Sequence, residues 1–434
     1  MSGRAQLMAR PRAQCAGARS NTCARLLLTL LRPGATVRAA DLNANSWEEV
    51  LELVLEHGVA PLLQRALQPG GSLTELPGWV RTRLEEERRA TALDNLRRYG
   101  EFRRIARVLG EQNITVIALK GLHLAELVYG DISLRPMIDL DLLVPLAQRK
   151  RAIAALRSQG YAFEERKLGF AFKDGQPDLM LVGKYHVGLV NRQAGTVVEI
   201  HWSLADPLHP YDPPLEDIWH NAVPAKLGDA ETRVMSPEYL LLHVCAHLAY
   251  NHIFAFGLRA LCDIAEIVRA YPALDWIAVI ERGRSHGWRI GVAAALRLAR
   301  DHLGAEVPSE ALAAIGADDL QPELLADAME HLLAFSEIPE ELQAAPNLMA
   351  LAGDRDLLAR FARFWNRLFV PRAELALIYG VPQHSARINL YYALRLRDLV
   401  RRYAASAWAF SVSNPELAAT TARHARLARW IAAR

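Results

Sequence analysis

The sequence predicts an α+β protein in which a small mixed β-sheet core is flanked by largely helical N- and C-terminal regions. Three observations predict it. Met137-Ile138-Asp139-Leu140-Asp141-Leu142-Leu143-Val144 is an apolar run of strand length, rich in branched residues and interrupted by two acids. Two further β-branched runs, Asn113 to Leu119 and Thr196 to Trp202, lie on either side of it in the chain. Before and after this region the apolar spacing turns helical, from Ala24 to about Glu111 and again from Ser236 onward.

Taken in order, residues 1–22 hold most of an acid-free, Arg-rich start and are expected to be a disordered basic extension. Residues 23–112 form the helical N-terminal region. There Ser46 and Glu49 have capping-box spacing, Pro61 implies a break, and Pro69-Gly70-Gly71-Ser72 is a loop. A long charged helix from Trp79 to about Glu111 should turn Leu93, Leu96, Ile105 and Leu109 inward, and the whole helical part should pack against the sheet. Residues 113–213 are the sheet-bearing core. Lys120-Gly121 is its first strand-to-helix turn, Leu122 to Tyr129 a short helix, and Arg135-Pro136 the entry to the acidic strand. Ala147 to Gly160 reads as a helix, followed by strand-like pieces at Tyr161 to Glu165, Leu179 to Val190 and Thr196 to Trp202. The Pro-rich stretch Asp206 to Pro214 marks a boundary, and residues 214–434 are expected to be a helical C-terminal domain opening at Ser236-Pro237-Glu238 and ending in a basic helix, Thr421 to Arg434, with a solvated face.

Composition narrows the function classes. At 434 residues the chain can bury a large core, and 51% hydrophobic with 23% charged residues is ordinary for a globular protein. A net charge of +3 gives no reason to expect specific nucleic-acid binding. No run reaches the roughly 18 apolar residues of a membrane span, and Leu26 to Leu31 is too short and too late for a secretory signal. Cys15, Cys23, Cys245 and Cys262 show no CxxC spacing, which favours a reducing, cytoplasmic setting. The six lysines, at 120, 150, 167, 173, 184 and 226, all fall within or just after the core, in a chain that otherwise uses Arg. Lys120 is therefore a candidate phosphate contact, as well as an ordinary solvated loop lysine.

Alternation along a strand puts Asp139 and Asp141 on one face, about 7 Å apart. Paired carboxylates on a core strand oppose one another's ionisation and cost desolvation, unless a divalent cation offsets both. Hard oxygen ligands suit Mg²⁺. The alternative is a strand end that leaves both acids in water. Glu199 and His201 also share one strand face, between Val198 and Ile200, so a neighbouring strand about 4.8 Å away would add a third acid. His201 would then orient Glu199 or meet an acceptor, or be a satisfied core-edge histidine, and His186 is read as structural. Arg135, four residues before Asp139, would meet phosphate or pair with an acid. His243 and His247 stand at i, i+4 with Cys245 between and His252 beyond. This spacing can bind Zn²⁺ but lacks a His-Glu-x-x-His motif, so helix packing or cleft lining is the simpler reading, with Asp263 a partner for one of these imidazoles.

The ordered set Lys120-Gly121, Tyr129, Arg135, Asp139-x-Asp141 and Val198-Glu199-Ile200-His201-Trp202 resembles the uncharacterised bacterial nucleotidyltransferase family of the DNA polymerase β-like nucleotidyltransferase superfamily. The resemblance runs more weakly from the Trp47 region to the Arg395 region. It implies that Asp139, Asp141 and Glu199 are catalytic and hold two Mg²⁺ ions, and that Lys120, Gly121 and Arg135 contact nucleotide. It further implies transfer of a nucleoside monophosphate from NTP to a hydroxyl-bearing acceptor, a small molecule or a peptide or protein, with release of pyrophosphate. The superfamily's usual Gly-Ser or Gly-Gly turn is Lys120-Gly121 here, and the spacing to Asp139 is longer. Two competing functions are a non-catalytic nucleotide-binding or assembly protein with the same fold, and a metal hydrolase centred on His243 and His247.

Overall fold

The computed structural model describes residues 21–33, 44–68, 73–163, 185–205, 214–334 and 415–432, with a short helix at 388–397 and single positions from 369 onward. Residues 1–20 of the expected basic extension, the loop at 69–72, residues 179–184 of the second strand-like piece and the Pro-rich stretch at 206–213 lie outside the described residues, while Asn21 and Thr22, expected in the extension, are already helical.

Three short helices open the structure: α1 (Asn21–Leu31), α2 (Ala44–Glu56) and α3 (Ala60–Leu67). The break before α3 is where Pro61 required it, since proline fits the first helical turn, where its missing N–H costs nothing. The capping-box reading does not hold: α2 is already formed at Ala44, so Ser46 lies inside the helix. Helix α4 (Gly78–Gly110) has 33 residues and is about 50 Å long. Its inward stripe is Thr91, Asn95, Tyr99, Phe102, Ile105 and Leu109. Leu93 and Leu96, expected inside, are 58% and 57% exposed. Asn95 sets that helical phase: it is fully buried and donates to the carbonyls of Ile132 (2.6 Å) and Arg135 (2.8 Å), clipping the approach to the acidic strand. A hydrogen-bonding residue in an inward position is invisible to an apolar-period reading.

Seven strands form one mixed sheet: β1 (Ile117–Ala118), β2 (Asp139–Leu143), β3 (Tyr161–Phe163), β4 (His186–Asn191), β5 (Thr196–His201), β6 (Val223–Leu227) and β7 (Ala230–Val234), in the order β3-β4-β5-β2-β1-β7-β6. Strand β2 is central, antiparallel to β1 and parallel to β5. Its Leu140 and Leu142, with Val198, Ile200, Val187 and Leu189, form an apolar face covered by α4 and by α6 (Arg149–Ser158). Between them in the chain α5 (Lys120–His123) starts at the Lys120-Gly121 turn and runs into a π-helical turn, Leu124–Val128.

The β6–β7 hairpin extends the sheet past residue 213, into sequence read as helical. Its turn is Gly228-Asp229, both with positive φ (49° and 70°), the backbone of a two-residue hairpin loop. A Cβ on Gly228 would lie 2.6 Å from the Tyr99 ring, so glycine is needed for space as well as for φ.

The remaining described helices are α7 (Leu215–Asn221), α8 (Pro237–Ala246) with a π turn His247–Asn251, α9 (Leu258–Ala270), α10 (Trp276–Ser285), α11 (Arg289–Leu303), α12 (Ser309–Ile315), α13 (Pro322–Leu333) and α14 (Pro415–Ala432). Ser236 caps α8 by accepting from the Tyr239 N–H, as its Ser-Pro-Glu start implied. Helices α1–α3 share one continuous core with these C-terminal helices, joining Leu27, Trp47 and Leu63 to Leu242, Leu261, Leu296 and Leu427. The N-terminal helices therefore pack chiefly on the C-terminal layer, and the expected packing against the sheet falls to α4. Among the described residues no helix is long and apolar enough to cross a membrane.

Helix α14 is not simply a solvated basic face. Arg423 pairs with Glu330, Arg426 with Asp327 (2.6 Å), and buried His424 meets buried His331 at 3.1 Å. Burial, then His424 and Arg423, push the His331 pKa down to about 3. An unfolded histidine titrates near 6.5, so between about 6.5 and 3 the unfolded chain binds the extra proton. The stability of neutral His331 is complete above pH 6.5 and is lost as pH falls towards 3. The urea midpoint should drop below pH 6.5, and His331→Leu should remove up to about 1.4 kcal/mol per pH unit of that slope. An unchanged slope in the variant would show that folding does not lower the pKa of His331.

Candidate active site

The polar face of the sheet lies opposite the α4 and α6 face. Parallel pairing sets Asp139 against Val197, Asp141 against Glu199 and Leu143 against His201, while β4 places His186 beside His201. Residues in register share a face, so Asp141, Glu199, His201 and His186 converge there. Burial of Val198 and Ile200 on the other face fixes this outcome, because a one-residue slip would reverse both.

Asp141, Glu199 and His201 offer ligand atoms that all lie within 4.8 Å of one another, and among the described residues they are the group of three that could hold a metal ion. His201 Nε2 is 3.0 Å from Asp141 Oδ1 and 3.3 Å from Glu199 Oε2. His186 Nε2 lies 3.6 Å from Glu199, its ring stacked 4.9 Å from that of His201. The cluster differs from the expected trio: His201 takes the third place, and Asp139 lies outside because its register partner is Val197. Asp139 remains on the same strand face, two residues along.

Electrostatics hold the acids ionised. Burial alone would raise the Asp141 pKa, but Lys120 and His201 outweigh it and keep the carboxyl well below the usual range. Glu199, likewise raised by burial, is brought down to about 2 by His201 and His186 against the opposing charge of Asp141. Burial opposes protonation of His201, yet its bonds to both carboxylates lift it to about 9. A protonated imidazole thus sits between two buried carboxylates. Two such acids, oriented at one point and kept charged, are a donor set suited to a hard divalent cation, whereas the protonated imidazole has no lone pair to offer it and acts as their counter-charge.

Lys120, the first residue of α5, reaches the same place: its Nζ lies 3.5 Å from Asp141 Oδ2 and 3.0 Å from His247 Nε2. Gly121 lets this turn pass under the acid strand. A Cβ there would sit 3.0 Å from Met137 Sδ and 3.6 Å from Arg135 Nη1.

Arg135 is buried and its guanidinium is taken up by Asp263 of α9, Nε to Oδ1 at 3.0 Å and Nη2 to Oδ2 at 2.9 Å. The Tyr129 hydroxyl donates to Asp263 Oδ1 at 2.9 Å. Of the two roles its spacing allowed, phosphate contact or pairing with an acid, the structure shows Arg135 in the second, docking α9 against the acidic-strand approach. Asp263 correspondingly does not serve His243 or His247. Only packing of α9 against the sheet could reveal this pair, which is separated by 128 residues in the chain.

His243, His247 and His252 line the helical side of the site. Burial lowers His243 and His252 to about 3 and His247 well below its ordinary value. Among the described residues they form no close group of three metal ligands, and Cys245 is buried, so a Zn²⁺ centre there has no support from the geometry. His247 turns one ring nitrogen towards Lys120.

No curated protein matches the chain. A solution structure of the antibiotic-resistance factor ANT(2'')-Ia is similar at 14% identity and a TM-score of 0.31, covering 47% of this chain and 97% of that one. A family model described as uncharacterised nucleotidyltransferase matches residues 43–304, from α2 through α11, and takes in every site residue named above. That span is more than half of the 434 residues, and the chain belongs to the uncharacterised nucleotidyltransferase family.

Proposed function

We propose that this nucleotidyltransferase moves a nucleoside monophosphate from an NTP to a hydroxyl-bearing acceptor, with Mg²⁺ as cofactor. The observation that carries the reading is the buried convergence of Asp141, Glu199 and His201, with both carboxylates held ionised. Asp141 and Glu199 would hold the cation, and Asp139 on the same strand face is the acid available to a second. A bound divalent cation would neutralise phosphate oxygens and favour ionisation of the acceptor hydroxyl. Lys120 supplies a positive charge at the rim of the acids, and the start of α5 at Lys120-Gly121 brings backbone close to the same rim. In the transfer, the acceptor oxygen forms a bond to the α-phosphorus as the bond to the β-bridging oxygen breaks. Pyrophosphate leaves with the electron pair, and the hydroxyl proton passes to the medium. The acceptor is a small molecule or a peptide or protein hydroxyl.

Binding without turnover is the rival reading, in which the same fold holds nucleotide and assembles with a partner. NTPs screened with Mg²⁺ against hydroxylated acceptors, following pyrophosphate and a nucleotide-sized mass gain, separate the two. Asp141→Asn should abolish transfer and weaken Mg²⁺-dependent NTP binding, because an amide lacks the charge that offsets cation dehydration. Glu199→Gln should keep much of the NTP affinity and lose most of the rate. Full activity in Asp141→Asn would sink the mechanism as placed.

Arg135→Ala tests which of its two roles this residue plays. It leaves Asp263 buried without its counter-charge, so unfolding stability should fall by about 3–5 kcal/mol. A folded, equally stable variant with weakened NTP affinity would return Arg135 to the phosphate role.

A further inference from the structure

Lys120 has three N–H donors on its ammonium and, among the described residues, two partners, Asp141 Oδ2 at 3.5 Å and His247 Nε2 at 3.0 Å. For the lysine to donate to Nε2, that nitrogen must carry the lone pair, so His247 is neutral with its proton on Nδ1. Burial keeps it neutral.

The surroundings fix the ring. The His252 imidazole packs edge-on at 4.5 Å with its Nε2 3.3 Å from that of His247. Phe256 meets His247 at 5.2 Å and 80°, and stacks on His252 at 4.0 Å. The backbone that delivers these rings is irregular. Both partners of the Lys120–His247 contact stand beside π-helical turns, Leu124–Val128 just after Lys120 and His247–Asn251 itself. The following loop places Ile253 (φ 49°) and Phe254 (φ 62°) in left-handed conformations. Two consecutive non-glycine residues there, one β-branched, are strained. The fold sustains that strain where the chain must turn back to set His252 and Phe256 against His247.

Resting on the nucleotidyltransferase reading, we propose that His247, with its ring fixed by His252 and Phe256, is the positioning residue that holds the Lys120 ammonium over the acid cluster and presents it to the β- and γ-phosphates of the bound NTP. When a cation occupies Asp141, the pull of that carboxylate on Lys120 weakens. His247 then becomes the contact that keeps the ammonium in place, leaving two donors for phosphate. A lysine is a flexible point charge, so without such an anchor its gain on the triphosphate is reduced by the entropy of ordering it.

The test is the affinity of the full-length protein for ATP and for AMP, each with Mg²⁺, by titration calorimetry. His247→Leu should weaken ATP binding about tenfold, the scale of one charge-assisted contact, and leave AMP binding unchanged. His247→Gln, whose side-chain oxygen can still accept from Lys120, should stay within about threefold of wild type. The double variant Lys120→Met/His247→Leu should bind ATP no more weakly than Lys120→Met alone, because His247 acts through the lysine. If the leucine variant does not fold, His247→Asn, too short to reach, takes its place with melting as the control. An unchanged ATP affinity in a folded leucine or asparagine variant overturns the proposal, as do additive losses in the double variant or a glutamine variant no better than leucine. If the wild type binds ATP tightly and these results appear, the failure is of His247 alone. No ATP binding to the wild type removes the nucleotide reading and this proposal with it.

Discussion

The parallel pairing of β2 with β5 is the constraint on which the site depends. Parallel neighbours place registered side chains on one face, so the pairing of Asp141 with Glu199 decides that two carboxylates meet. What fixes the register is on the other side of the sheet. Leu140, Leu142, Val198 and Ile200 are fully buried under α4 and α6, and a slip by one residue would put them on the polar face and the acids in the core. Burial of about 25 cal/mol per Å² of apolar surface on one face thus specifies the electrostatics of the other.

Buried charge is the second organising fact. Asp141 and Glu199 would be untenable in a dry sheet face if left alone, and they are tolerated because a protonated His201 bridges them while Lys120 approaches from α5. Each counter-charge comes from a different element. The acids therefore sit where strand, turn helix and helical layer meet, and the site exists only when those layers are docked. Arg135, Asp263 and Tyr129 do that docking: a bidentate ion pair and a hydroxyl, buried together, tie α9 to the loop that feeds the acidic strand. Asn95 reinforces the same loop from α4, so the strand entrance is clamped from both helical sides. Substitutions in this clamp act on the site through its geometry, without touching it.

The sequence by itself determined the sheet-and-helix class, the strands bearing Asp141 and Glu199, the break at Pro61 and the Ser236 cap. Each of these follows from spacing, side-chain alternation or local backbone preference, which act over a few residues and are written in the chain. It also showed that acids on a core strand demand a counter-charge, since desolvation is a property of the residue type. The tertiary structure decided which counter-charges answer. That Arg135 goes to Asp263, that His201 joins the acids while Asp139 stands aside, that Leu93 and Leu96 face outward because Asn95 takes the inward position, and that His247 holds Lys120 all depend on contacts across 37 to 128 residues of chain. No local pattern encodes such contacts, because their free energy arises only when separate layers exclude water between them.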